Sequence, residues 1–426
     1  MKIYHLDIVL VCAGMEMTGD MLDAGRSLGG SETAAIQMAE ALVRLGHRVN
    51  IFCTTNKAHE HNGVAYSPMG WIPNRQGGGF PKGFVDYTRS TPFDLLIVQR
   101  IPAFLAFELK SKVNFLWQHD LATRSGPSIF HPQLWNIDKI LVLSEFMKKQ
   151  YQSVHGGPDH LYHVTRNGVD LARVDAAPAK DRDRFRLTYT ARPERGLDHL
   201  LQRVFPEIMK IEPRAHLYLS RYDDPQVLPL YQQLDGIIQQ FGERVVFMGN
   251  LGKQALCEHY KQSRLYLYPS AFEEISCITA METAACGVPF IGPWRGALPE
   301  TCKDHGVLIR DDGTAPLVTD PVEPGFNGVS DDFCRAMARK AVELMHDDRK
   351  WEELSAKARK AAENWQWEPV AENWVKLAHD RIAERVNSPV RVVKHFISTS
   401  DIVAAKKYAE KNQSTQLVSS VKSYVD

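Results

Sequence analysis

Residues 265–300 read LYLYPSAFEEISCITAMETAACGVPFIGPWRGALPE, and the meaning of this stretch decides how the rest of the chain is understood. The apolar run LYLY before Pro269 and Ser270 predicts a strand. A helix is predicted from Cys277 or Ile278 to Gly287, with Pro289 just beyond, a common way to stop a helix and open a strand. Glu274 then falls in the loop before the helix and Glu282 about a turn inside it, with seven residues between them. Free amides and the positive end of a helix dipole receive phosphates. Carboxylates accept hydrogen bonds from sugar or ribose hydroxyls. The spacing alone fits two surface glutamates near a helix start equally well, so the context has to choose.

Outward from this stretch the chain alternates strands and helices. Strands are expected at 186–190, 216–220, 245–249 and 306–309, and helices at 196–211, 226–240, 253–263, 331–346, 351–364 and 367–387. A Pro/Gly-rich loop occupies 312–330. Before residue 172 a similar alternation runs: strand 8–12, a loop rich in Gly and Asp, helix 31–45 with Ile36, Ala39 and Val43 on one stripe, and strand 49–53. Further strands are expected at 95–98, 113–117 and 139–143, the last running into a helix capped by Ser144. The segment ARVDAAPAKDRDR at 172–184 is small, charged and Pro-containing, which suits an interdomain linker. Two runs of β-α alternation predict two doubly wound parallel sheets in series, with a cleft between their strand ends. The tail 388–426, with one predicted helix at 401–411, has no assigned role.

Composition sets wide bounds. The 426 residues suffice for two domains with separate cores. Lys plus Arg and Asp plus Glu are both 51, so no global charge draws the chain to nucleic acid or an anionic membrane. Seven scattered cysteines form no CxxC or metal pattern and point to a reducing cytoplasm. The opening MKIYHLDIVLVCAG is broken by His5 and Asp7 and leads straight into a loop and helix, so it is read as a buried strand rather than a signal peptide. No window reaches the ~18 uninterrupted apolar residues of a membrane span.

Four further clusters carry candidate chemistry. Gly29-Gly30-Ser31-Glu32 stands at a helix start, where glycines allow close backbone approach to an anion. It is not the GxGxxG of a dinucleotide site. Trp117-Gln118-His119-Asp120 follows an apolar strand, where His119 can hydrogen-bond a substrate hydroxyl or a backbone carbonyl, with Asp120 able to orient it. Arg192-Pro193-Glu194-Arg195-Gly196 places two arginines at a strand-to-helix turn, which suits a diphosphate. Asn167-Gly168-Val169-Asp170 is a turn with no necessary chemistry. Each cluster has an ordinary structural reading when taken alone.

Taken in order, these segments resemble glycosyltransferase family 4, the retaining, nucleotide-sugar-dependent enzymes of the GT-B fold. The resemblance runs from about residue 8 to about 385, through GGSETAAIQMAEALVRLGHRVNIF, WQHD, SEF, RNGVD, ARPERGLDHLL, the E-x7-E block, WRGALPE and WQWEPVAENW. It implies an acceptor-side Rossmann-like domain at 1–174, a donor-side one at 175–366, and a helix at 367–387 crossing back to the first. It also implies roles by position. Glu282 holds the donor's ribose hydroxyls, Glu274 contacts the transferred sugar, and amides near Ser276, Cys277 and Ile278 meet the phosphates. Arg195 takes the place of the family's usual lysine on the diphosphate, and Arg192 supplies a partner arginine. His119 contacts the sugar near the reacting carbon, and Gly30 approaches the donor phosphates or the acceptor. Ile275-Ser276-Cys277-Ile278 stands where the family usually has Gly-Phe-Gly-Leu, a departure at the donor-sugar end of the pocket.

The resemblance implies a hexosyl- or pentosyltransferase that stabilises a departing nucleoside diphosphate with Arg195 and oriented amides. No DxD-type motif stands at a suitable strand end. Asp223-Asp224 and Asp331-Asp332 read as solvated pairs, so neither a catalytic metal nor any cofactor is expected. Retention without an evident protein nucleophile implies attack of the acceptor hydroxyl on the leaving-group face. Two alternatives share the architecture: a nucleotide-sugar epimerase, and a sugar-nucleotide binding protein without turnover. The acceptor is left open among saccharide, lipid, protein, small molecule and modified nucleic-acid base.

Overall fold

The apolar runs of the first half pair into one sheet because they are buried on both faces. Leu95, Leu96, Ile97 and Val98 all have no exposed surface, the pattern of a parallel strand covered by helices on either side. The computed structural model describes residues 5–26, 28–73, 79–123, 136–178, 181–221, 225–311 and 328–386. Its strands are β1 (Asp7–Glu16), β2 (Arg48–Thr54), β3 (His59–His61), β4 (Val64–Pro68), a separate hairpin β5 (Trp71–Pro73) and β6 (Gly79–Pro81), β7 (Phe93–Gln99), β8 (Ser111–Trp117), β9 (Lys139–Val142) and β10 (Tyr162–Val164). The first sheet has the order β10-β9-β8-β7-β1-β2-β4-β3. Only the β3–β4 pair in it is antiparallel.

The second sheet is parallel throughout. It comprises β11 (Arg186–Tyr189), β12 (His216–Leu219), β13 (Val245–Phe247), β14 (Leu265–Leu267), β15 (Phe290–Pro293) and β16 (Val307–Ile309), in the order β13-β12-β11-β14-β15-β16. Strand order reverses between β1 and β7 in one sheet and between β11 and β14 in the other. Ligands of open α/β sheets bind outside the carboxyl ends of strands at such reversals. Gln99 is the last residue of β7, Gly30 opens a helix beyond β1, and the loops after β11 and β14 carry Arg195 and Glu274.

Several expectations need correction. The 172–184 segment, read as an interdomain linker, begins inside a helix. Leu171–Ala176 is a helix whose start is capped by Asp170, Oδ1 accepting from the Arg173 amide at 2.9 Å. Val174 and Ala177 belong to the core around the second sheet. The expected 196–211 helix passes through a π turn at Leu200–Val204, next to Pro206, whose missing N–H removes one helical bond. The loop after residue 12 is shorter than expected, because β1 continues to Glu16 past a register shift against β2 and a short helix follows at Gly19–Asp23. Strands β3 to β6 and β10 and the helix Lys82–Ser90 were not among the elements expected from the sequence. Asp223-Asp224, residues 312–327 of the Pro/Gly-rich loop and the 388–426 tail lie outside the described residues.

The chain divides into compact units at 1–371 and 372–426. Within the first, Trp367 opens the helix Trp367–Val386 and donates from Nε1 to Gln37 Oε1 at 2.9 Å. Gly168 is required beneath it, since a Cβ there would stand 2.5 Å from the Trp367 ring. The halves of this unit also meet at Glu300, whose carboxylate accepts from the amides of Glu145 (2.9 Å) and Phe146 (2.8 Å). Among the described residues no helix is long and apolar enough to cross a membrane. All seven cysteines are free and buried.

Candidate active site

The turn after β11 is built to present Arg195. Gly196 has φ 101°, and a Cβ on it would lie 2.2 Å from the Pro269 carbonyl oxygen, so only glycine lets the β11 and β14 loops approach. Arg195 lays its guanidinium over the Phe272 ring, 3.2 Å from the centroid, and its Nη1 is 3.8 Å from Glu274 Oε1. Burial pulls Arg195 down, but Glu274, followed by Tyr268 and Glu194, outweighs it, so the guanidinium stays firmly charged. Nη1 is buried and makes no hydrogen bond. The same Glu274 oxygen accepts from the Tyr268 hydroxyl.

The helix Ile278–Ala285 begins after Cys277, which has φ 58° and ψ 77°. This is left-handed backbone that favours glycine, and it falls where the E-x7-E block departs from the resembled pattern. Ser276 is fixed by its carbonyl, which accepts from Thr301 Oγ1 at 3.0 Å. The first amides of such a helix have no acceptor within it and point outward. Gly30 opens the helix Gly30–Arg44 of the first sheet, and a Cβ on it would be 3.5 Å from Ile278 Cδ1. Gly30, at one helix start, therefore lies close to the side chain of Ile278, at the other.

Glu282 lies inside its helix and receives Lys253 Nζ at 2.6 Å, both side chains being largely covered at 17% and 16% exposure. Lys253 was not singled out from the sequence. Its one signal is a cation as the first residue of the helix Lys253–Gln262, where the dipole disfavours positive charge.

His119 follows β8 and packs edge-on against Trp117, ring centroids 4.3 Å apart. Its pKa is pulled down to about 3, first by burial and then by the Arg100 guanidinium. Asp120 does not orient it, contrary to expectation. That carboxylate is taken by Arg100, through Nε at 2.7 Å and Nη2 at 3.0 Å. The neighbour of His119 is Gln99, whose Nε2 is 3.0 Å from His119 Nε2 and donates to the Ser31 carbonyl at 2.9 Å. Arg192 pairs with Glu194 through its guanidinium. Asp331 receives Arg203 at 2.9 Å and Asp332 receives Arg335 at 2.6 Å, both acids lying exposed at a helix start.

The structure therefore brings Arg195 to Glu274, Gly30 to Ile278, and His119 through Gln99 to Ser31. It sets Glu282 against Lys253 and leaves Arg192 on its own local partner.

Known proteins match in the same arrangement. The Glycosyltransferase Family 4 model covers residues 28–173 and the Glycosyl transferases group 1 model covers residues 184–322. The chain is 23% identical over 254 residues to lipopolysaccharide 1,2-N-acetylglucosaminetransferase of Salmonella typhimurium, over 55% of this chain and 65% of that protein. The curated relatives are thus matched over less than two thirds of their own length. Sucrose-phosphate synthase from Thermosynechococcus elongatus superimposes with a TM-score of 0.66 at 19% identity, over 89% of this chain and 100% of that one. Anabaena HepE in complex with UDP and glucose gives a TM-score of 0.59 at 16% identity, over 90% and 100%. With one model on each half, in order, and a GT-B fold beneath them, the chain belongs to the family 4-like glycosyltransferases.

Proposed function

We propose that this protein transfers a hexosyl or pentosyl residue from a nucleoside-diphosphate sugar to an acceptor hydroxyl, with retention of configuration and without a catalytic metal. The observation that carries this reading is the close approach of Gly30, at one helix start, to the Ile278 side chain at another, with the Arg195 charge acting on Cys277 just before it. Two dipoles and one cation whose Nη1 makes no hydrogen bond make a receptor for a diphosphate. In this reading residues 1–174 hold the acceptor and 175–366 the donor.

Glu282 accepts the ribose hydroxyls with the oxygen opposite Lys253, and Glu274 accepts from the transferred sugar. Amides around Ser276, Cys277 and Ile278, with Arg195, neutralise the charge that grows on the leaving diphosphate. Arg192 stands behind Arg195 as a second positive charge at the turn. Neutral His119 donates a hydrogen bond to the sugar and takes no part in proton transfer. The anomeric carbon–phosphate oxygen bond breaks, the acceptor oxygen bonds to the same face, and the acceptor proton passes to the departing phosphate. UDP-sugars head the list of donors to test, because the HepE structure holds UDP and glucose. Seven free, buried cysteines accord with a cytoplasmic setting.

The test is a calorimetric and thermal-shift screen with UDP-, GDP-, ADP- and dTDP-sugars. One base class is expected to bind saturably and to release nucleoside diphosphate when acceptor extracts are added. Absence of binding by all four at millimolar concentration overturns the reading.

A further inference from the structure

Gln99 closes β7 and pairs in register with Trp117 at the end of β8, two residues before His119. Its side chain is buried, the residue being 1% exposed. The amide nitrogen has two hydrogens and two neighbours, the Ser31 carbonyl at 2.9 Å and His119 Nε2 at 3.0 Å. A carbonyl only accepts, so the nitrogen rather than Oε1 must face Ser31. A flipped amide would set two acceptor oxygens against each other. The same nitrogen therefore donates its second hydrogen to His119 Nε2, and that ring nitrogen must carry a lone pair. The neutral imidazole then has its proton on Nδ1.

We propose that Gln99 is a positioning residue: it fixes His119 as the Nδ1–H tautomer and ties that ring to the glycine turn at Ser31, so that the imidazole serves as a hydrogen-bond donor to the bound sugar. The inference rests on the proposed transfer reaction for its functional half and on geometry alone for its tautomer. Two further observations support it. Gln99 Oε1 is buried with no partner among the described residues, an arrangement folds avoid unless a ligand or water completes it. Arg100, the next residue, has φ 66°, a left-handed conformation held by its amide on the Trp117 carbonyl (2.9 Å) and by Gln118 Nε2 on its own carbonyl (3.3 Å). Strained backbone at a strand end beside a candidate site is the pattern of a fixed, preorganised group.

The experiment has a readout that needs no substrate. Long-range 1H–15N correlation on histidine-labelled protein, assigned with a His119→Asn sample, is expected to show His119 protonated at Nδ1 and bare at Nε2. In Gln99→Glu the carboxylate can only accept, so the proton is expected to move to Nε2. Gln99→Met, which removes the donor without adding charge, is expected to give a mixture of both tautomers. Transfer by Gln99→Glu is expected to fall roughly 10²-fold in kcat, the loss of one oriented donor, with donor Kd moved less than about threefold.

Nε2 protonation in the unaltered protein overturns the proposal whether or not any variant folds. A Gln99→Glu tautomer switch with kcat unchanged overturns the positioning role. Failure of the transfer reading itself looks different, since the unaltered protein would then bind no nucleotide sugar at all.

Discussion

Lys253 Nζ and Glu282 Oε1 form a 2.6 Å ion pair between the start of one helix and the middle of another. The preceding Gly252 sits so close to the first half that a Cβ on it would be 2.4 Å from Gly25 Cα. One carboxylate oxygen of Glu282 is thus committed, and the proposed ribose contact falls to the other.

Glu282→Gln keeps the shape and removes the charge. Donor affinity is expected to weaken by about 1–3 kcal/mol, the range for a hydrogen bond to a charged group. Lys253→Met should weaken donor binding in the same direction, by leaving the carboxylate unpaired. Calorimetry on the two single variants and the double should give a coupling of about 1 kcal/mol or more. Unchanged Kd in Glu282→Gln removes the ribose assignment.

Two glycines give opposite outcomes. Gly196→Ala puts a Cβ 2.2 Å from the Pro269 carbonyl at φ 101° and should cost roughly 2–3 kcal/mol while displacing Arg195. Gly236 lies within the helix Leu228–Gln240 with nothing within 4 Å of its Cβ position. Gly236→Ala should stabilise by about 0.5–1 kcal/mol. Urea denaturation decides both, and a stable Gly196→Ala protein would show that the two loops need not touch.

The residues that sequence exposes here are those whose chemistry is local. The β14 strand, the helix from Ile278 and its stop at Gly287 follow from apolar runs and breakers, so Glu274 and Glu282 could be placed on loop and helix in advance. Gly30 and Arg195 were legible for the same reason, as residues at helix starts. Lys253 and Gln99 were not, since each gains its meaning from a partner far off in sequence: Glu282 in one case, Ser31 and His119 in the other. Asp120 misled because adjacency to His119 suggested contact, whereas Arg100 turns back in left-handed backbone and takes the carboxylate. The helix at the start of the 172–184 segment was not legible because its charged composition hides Val174 and Ala177, which are apolar and belong to the core.

Acid should destabilise the fold through its buried histidines. Burial holds His119 and His259 to about 3, helped by Arg100 and Arg186, and holds His305 to about 4. The unfolded chain binds these protons near pH 6.5, whereas the folded one stays neutral until far lower. Stability is therefore intact above pH 6.5 and falls as pH drops toward 3–4, by about 1.4 kcal/mol per pH unit for each histidine. Urea midpoints at pH 7.5 and 5 should differ accordingly, and His259→Gln should make the slope shallower by about one proton. Equal midpoints at the two values would show these rings to be protonated in the folded state.

The contact of Glu300 with the helix Glu145–His155 allows a test of how the halves hold together. Three amides at that helix start lack partners within the helix. Ser144 Oγ accepts from Met147 at 3.1 Å, and Glu300, from beside the second sheet, accepts from Glu145 and Phe146. A carboxylate there is favoured by the dipole as well as by two hydrogen bonds. Glu300→Gln retains only one acceptor oxygen and turns an amide donor toward a donor, so it should cost about 1–2 kcal/mol. Ser144→Ala should cost about 1 kcal/mol. Because both act on one helix end, the double variant should lose less than the sum, with a coupling of about 0.5 kcal/mol or more. Denaturation monitored in each half separately should show both halves weakened by Glu300→Gln. Strict additivity, or loss confined to the second half, would mean that Glu300 does not bridge the two in solution.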